Sequence, residues 1–316
     1  MKAFVTDVQG TVWELPPARK WELEYGIGTP CDSFYLICPW QAAEQSKPQD
    51  WVRFHAEHEG ERVFTGVVDE CEVMYTLRGC ELELSGRGLA ALLLDNEALG
   101  QDYQLATLED ILRDHVSPYG IETAEKPKFP GVSRFRVDTG SSEWTVLEEF
   151  LRESGGGLPR FDEFGRLILS DFEDRDTLSI GADTPISSLL RRDRRYGVLS
   201  QVLVRDRYSG AVQKVENEEF SALGGAARRV LTMPGHANSA AMLEAGREQL
   251  KRSARAWQEV EVILPLPFAA MPGQIVKLER GGLDHNGTYR VARVAVGMDK
   301  NGYWSRLTLQ KPEYVR

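Results

Sequence analysis

The sequence has little of what usually marks a catalytic, metal-binding or nucleic-acid-binding chain. Four cysteines occur in 316 residues: Cys31, Cys38, Cys71 and Cys80. None forms a C-x-x-C pair and none sits in a C…H cluster with zinc spacing, so reduced thiols are expected and no metal site. Basic residues are in the minority, 38 Lys and Arg against 48 Asp and Glu, a net charge of −10. That argues against a protein that grips nucleic-acid phosphates or an anionic membrane surface. The longest apolar run, Leu89 to Leu94, is far too short to span a bilayer. The opening "MKAFVTDVQGTVWELPP" has no long apolar core, so a signal peptide is not expected. The string G-x-x-x-x-G-K-[ST] of phosphate-binding loops is missing, and so is the G-x-S-x-G nucleophile elbow. No cofactor follows from any motif.

Histidines are five: His55, His58, His115, His236 and His285. His55 and His58 lie three apart in a strand-like segment, which places them on opposite faces. His115 falls on an apolar helix face and reads as a satisfied boundary residue. His236 and His285 lie in loops. The carboxylates are many, yet none stands in a distinctive context, so no catalytic residue is assigned.

The segment that draws attention is "LELSGRGLAALLLDNEALG", residues 82–100. It reads as a strand, a turn at Ser85-Gly86-Arg87-Gly88, then a short apolar helix. An arginine beside a helix N-terminus suits an anion, but small residues at a strand-to-helix turn are the simpler reading. In that reading Gly86 and Gly88 let the chain turn, and Arg87 ties the turn to a nearby carboxylate or carbonyl.

The rest divides by periodicity. Residues 1–87 alternate apolar and polar residues between Gly and Pro, as strands do. At Gly79 the apolar phase slips, which predicts a bulge or tight turn. Residues 88–175 carry two helix signatures. "TLEDILRDHVSPYG" starts with a variant capping box, Thr107 with Asp110, and has Leu108, Ile111, Leu112 and His115 on one face. "SSEWTVLEEFLRESGGG" has Ser142 as N-cap, Gly155 as C-terminal stop, and Trp144, Leu147, Phe150 and Leu151 on one face. "FDEFGRL" predicts a hairpin turn ending at Gly165. Residues 176–316 return to strands around one long helix, 238–256, with Leu243, Leu250, Ala254 and Trp257 on a shared face. Asn286-Gly287 and Asn301-Gly302 are hairpin signals. "LLRRDRRYG", with Arg191, Arg192, Arg194 and Arg195, is the densest basic segment.

These motifs, in this order, resemble the phage tail hub family, the Mu-type and PBSX-type baseplate hubs also called the late control protein D family. "FTGVVDECEV" with "LELSGRGLAALLLDNEA", then "TLEDILRDHVSPYGI", "SSEWTVLEEFLRESGGGLPRFDEFGRLIL", "MPGQIVKLE" and a terminal "LTLQKP" carry the likeness over residues 60–316. The resemblance implies an α+β fold of two tail-tube-like antiparallel β-barrel domains, which need not be continuous in sequence, with a small α/β domain between. It implies a homotrimer that joins the tail tube, or a tube initiator, to a membrane-piercing spike, contacts other baseplate proteins and forms part of the central channel. Tape-measure protein would pass that channel. No specific nucleic-acid binding and no membrane anchor are implied. Such a particle is assembled in the bacterial cytoplasm and the chain becomes part of a virion tail, a bacteriocin or an injection machine. The family brings no catalytic residues and this chain shows no appended lysozyme-like domain; a hub-derived peptidoglycan hydrolase is the enzymatic alternative. The expected architectural positions are Ser85, Gly86, Arg87, Gly88, Trp144, Gly155 and Gly165.

Overall fold

A computed structural model describes residues 1–316 except 28–30, 42–46, 78, 173–176, 234–237, 281–283 and 316. His236 and the expected border at 175/176 therefore lie outside the described residues. The chain forms two compact units. The first holds residues 1–173, 264–272 and 293–306; the second holds 174–263, 273–292 and 307–316.

In the first unit the strands are β1 (Lys2–Asp7), β2 (Val12–Glu14), β3 (Lys20–Gly26), β4 (Ser33–Pro39), β5 (Trp51–His58), β6 (Glu61–Thr76) and β7 (Gly79–Gly88). They pair antiparallel in the order β3-β4-β7-β6-β5-β1-β2. Alternation decides which face is buried. In β3, Trp21, Leu23 and Tyr25 turn inward while Lys20, Glu22 and Glu24 turn out. Phe34 and Leu36 of β4 and Leu82 and Leu84 of β7 join the inner face. Phe34 stacks on Phe54 of β5 at 3.7 Å between ring centroids, with Phe64 edge-on. Each such side chain contributes roughly 1.5–3 kcal/mol by leaving water.

The phase slip at Gly79 is the turn of the long β6–β7 hairpin, with Gly79 at φ 126. A separate irregularity interrupts the same ladder between Val68 and Glu70. Such a bulge bends the strand and strengthens its twist.

After β7 come α1 (Ala91–Leu94), β8 (Gln101–Ala106), α2 (Leu108–His115), β9 (Val132–Val137), α3 (Glu143–Ser154), β10 (Arg160–Phe161) and β11 (Leu167–Ile168). The capping box on α2 is complete: the Thr107 side chain accepts from Asp110 N–H, and the Asp110 carboxylate accepts from Thr107 N–H. Ser142 caps α3, and Gly155 ends it in the left-handed region. Ile111, Leu112, Leu147, Phe150, Leu151 and Phe135 share one apolar core.

The second unit contains β12 (Thr177–Ile180), β13 (Ser188–Asp193), β14 (Gln201–Asp206), β15 (Val212–Glu216), α4 (Glu218–Ala222), β16 (Arg228–Met233), α5 (Ser239–Ala254), β17 (Gln258–Leu264) and β18 (Ile275–Leu278). The strands β19 (Gly287–Asp299) and β20 (Gly302–Gln310) give residues to both units, as β17 does through Leu264. Most pairings are antiparallel; β14–β16 and β12–β18 are parallel. Asn238 caps α5 by accepting from Ala241 N–H. Gly246 lies so near β14 and β15 that a Cβ there would meet Val215 at 2.5 Å.

Several expectations need correcting. Ser85-Gly86-Arg87-Gly88 is not a turn, because all four residues lie in β7 and pair on both sides, with β4 and β6. The expected border at 87/88 therefore falls inside a strand. The buried stripe of α5 runs through Met242, Gly246, Leu250 and Ala254 rather than Leu243, since helix packing selected the i, i+4 row that includes the small residue. Asn286-Gly287 does not close a two-residue hairpin: β18 ends at Leu278 and β19 starts at Gly287. The Asn286 side chain instead accepts from Arg280 N–H at 2.8 Å.

Candidate functional site

Gly86 of β7 is a glycine because other atoms occupy the space a side chain would need. A Cβ on Gly86 would sit 2.0 Å from the Val67 carbonyl oxygen and 2.6 Å from the Phe34 ring. Across the ladder, a Cβ on Gly66 would sit 2.2 Å from the Arg87 carbonyl oxygen. Neither glycine has a positive φ. The requirement is close approach of backbones beside the bulge, and not conformational freedom.

Arg87 points outward and is gripped from two sides. Its Nε and Nη2 donate to Asp69 at 2.7 and 2.9 Å, and its Nη1 and Nη2 donate to Asp95 at 3.0 and 2.6 Å. Asp69 belongs to the bulged part of β6 and Asp95 ends α1. One forked guanidinium thus fastens the first helix to the sheet. The hydrogen bonds from the Arg87 guanidinium hold the Asp95 carboxyl below its usual range. Ser85 is half-buried on the same outward face, opposite Tyr35 and Glu70.

Gly88 opens a cavity of about 220 Å³ in the first unit, lined among others by Tyr25, Cys31, Asp32, Trp144, Arg160 and Phe161. Trp144 lines it half-buried and stacks with Phe161; it packs against the core that Leu147, Phe150 and Leu151 of α3 build. Gly165, at φ 79 between β10 and β11, touches the same region: a Cβ there would meet Leu89 at 2.6 Å. Thr65 Oγ1 donates to the Glu163 carbonyl at 2.8 Å. The structure therefore brings Gly88, Trp144 and the Gly165 turn to one junction, while Gly155 stands apart as a helix end.

The chemistry of that cavity is quiet. Burial pushes the Asp32 carboxyl up to about 7, against the hydrogen bond its Oδ1 accepts from Gly26 N–H. Burial, with Asp32 beside it, pushes the Cys31 thiol up to about 12, which is the reverse of an activated nucleophile. Arg160 Nη1 donates to the Ser170 carbonyl and its guanidinium lies over Phe172.

A second polar cluster escaped the sequence reading. His115, 2% exposed, places Nδ1 2.6 Å from Glu143 Oε2. Tyr119 donates to Glu143 Oε1 at 2.9 Å, Tyr103 donates to Asp114 at 2.9 Å, and the Tyr103 hydroxyl lies 3.1 Å from His115 Nε2. His115 is satisfied but deep, not at a boundary. The cluster ties α2 to α3, and both His115 and Glu143 are buried. It lines none of the cavities described. No local pattern links positions 28 residues apart in sequence, so only the fold reveals it. Among the described residues, no group of three or more His, Cys, Asp or Glu is placed to hold a metal ion.

Solved structures supply the fold's relatives. The chain superposes on the 43 kDa tail protein of prophage MuSo2 from Shewanella oneidensis with a TM-score of 0.81 at 16% identity, covering 100% of this chain and 99% of that one. The fold is that of phage tail proteins. A tail protein from Neisseria meningitidis matches at 0.79 and 14% identity over 99% and 97% of the two chains. An Escherichia coli component of the type VI secretion system, itself structurally similar to T4 bacteriophage tail proteins gp27 and gp5, matches at 0.60 and 13% identity over 98% and 77%. No family model and no curated protein sequence matches the chain.

Proposed function

We propose that this chain is the structural hub of a phage-tail-like baseplate, three copies forming a ring that joins the tail tube to a membrane-piercing spike and surrounds part of the central channel. The observation that carries this reading is the end-to-end superposition on two tail proteins, one of them from a prophage, in which both partners are covered almost completely. The ordered hub-like motifs between residues 60 and 316 point the same way. The residues singled out, Gly86, Arg87, Trp144 and Gly165, hold the sheet and the helical layer together and are positioned for assembly rather than chemistry. The type VI component among the relatives supports the same job in an injection machine; terminase and capsid genes beside this one distinguish a phage.

Light scattering on the purified chain, alone and co-expressed with a spike protein from the same particle, tests the proposal. A particle three times the 35.5 kDa chain mass is expected. A monomer under both conditions overturns the ring.

A further inference from the structure

The two units carry opposite charge. The first has 19 Lys and Arg against 33 Asp and Glu, a net −14; the second has 19 against 15, a net +4, and together they give the chain's −10. Five of the first unit's acidic residues share one sheet face. Register places Glu22 of β3, Glu81 and Glu83 of β7, and Glu70 and Glu72 of β6 on the side opposite the core. Glu72 lies directly across from Glu83. Like charges opposed in a ladder destabilise it, and a cationic neighbour would offset that. Lys20, which lies over the Tyr35 ring, and Arg19, which pairs with Glu81, offset only part of the charge.

In the second unit, the turn after β13 exposes Arg194, Arg195 and a fully exposed Tyr196 (101%) beside Leu223 (55%). Arg195 donates to the Leu223 carbonyl and lies over Phe220, so the knuckle is held in shape. A rigid knuckle of aromatic, aliphatic and guanidinium groups is the composition enriched where proteins meet.

We infer that the acidic face of β3-β4-β7-β6 in one copy seats the Arg194–Tyr196 knuckle of a second copy. The occupant is set by charge complementarity within one sequence, and a contact between unlike patches is the head-to-tail kind that closes a ring. The inference rests on the ring reading above and names the surfaces that meet in it.

Two variants test it by mass photometry across a salt series: Glu72→Lys with Glu83→Lys, and Arg194→Glu with Arg195→Glu. All four positions are surface-facing, so an unchanged melting temperature serves as the folding control. Each variant alone should weaken association at least about tenfold. Mixed, the two should associate with each other, because each supplies the surface the other reversed. A wild-type chain that is monomeric with and without the spike overturns both the ring and this interface. A wild-type trimer whose variants assemble with unchanged affinity overturns this interface alone and leaves the acidic face open to the channel. A mixture that fails to associate also overturns it.

Discussion

Gly86 and Gly155 are both glycines for which the fold leaves little choice, and for opposite reasons. Gly86 has ordinary extended backbone but lies where a Cβ would strike the Val67 carbonyl at 2.0 Å. Gly155 has nothing within 4 Å of its would-be Cβ, but its φ is 81. The first is fixed by a neighbouring strand, the second by its own torsion. The same split separates the sheet from the helical layer. In the sheet, identity is dictated by what lies across the ladder; in the layer, it is dictated by caps and by one buried polar cluster.

The largest effect is expected from breaking the sheet side of this comparison. Gly86→Val places three carbons where backbone and the Phe34 ring already are. Overpacking against backbone does not relax cheaply, so a loss above about 4 kcal/mol is expected. Urea denaturation or the yield of folded protein reads it. A variant as stable as the parent would mean that β4 and β6 are spaced more widely than described.

The helical layer breaks at His115. His115→Ala leaves the buried Glu143 carboxylate with Tyr119 as its described partner. Removing one member of a buried pair destabilises by about 3–5 kcal/mol. Glu143→Gln keeps the hydrogen-bonding shape and should lose clearly less. Equal losses in the two variants would indicate that packing volume, and not the polar cluster, holds α2 to α3.

Asp32 sharpens the comparison by pH. Its folded-state value, about 7, lies above its ordinary value of 3.8. The folded chain therefore favours the protonated acid, and the stability it contributes is full below about pH 4 and lost as pH rises through about 7. Partial access of water reduces the effect to about 1–2 kcal/mol. Asp32→Asn should flatten that slope and be the more stable chain at pH 8. A wild-type slope of the opposite sign between pH 4 and 7 that Asp32→Asn abolishes would sink the assignment.

Gly155→Ala isolates the torsional kind of glycine. Space is free, so the penalty is the left-handed backbone alone, about 1 kcal/mol. A thermal melt compared with Gly86→Val should show a several-fold difference. Near-equal losses would erase the distinction.

How much was legible follows the same line. Thr107 with Asp110, Ser142 and Gly155 signal helix ends through residues within three or four positions, so the sequence showed those helices. The alternation of Trp21, Leu23 and Tyr25 likewise exposes a strand from within itself. Ser85-Gly86-Arg87-Gly88 misled because a glycine such as Gly86 looks the same in a turn and under a crowding strand; only β4 and β6 distinguish the two. His115 and Glu143 meet through the packing of two helices, and no spacing encodes that.

Ser85 is the control with the smallest expected effect. It shares β7 with Gly86, yet its side chain is on the outward face, opposite Tyr35 and Glu70, with no described histidine beside it in the ladder. Alternation thus places adjacent residues in different environments: one is pinned by backbone atoms, the next faces outward. Ser85→Ala should change stability by no more than about 0.5 kcal/mol and leave the proposed ring unaffected. It also tests the enzymatic alternative, because a nucleophile would not tolerate loss of its hydroxyl. Neither the parent nor the variant should clear peptidoglycan in a zymogram. A parent that does, and a Ser85→Ala chain that folds and assembles equally well but does not, would restore this serine as a reactive group on the strand.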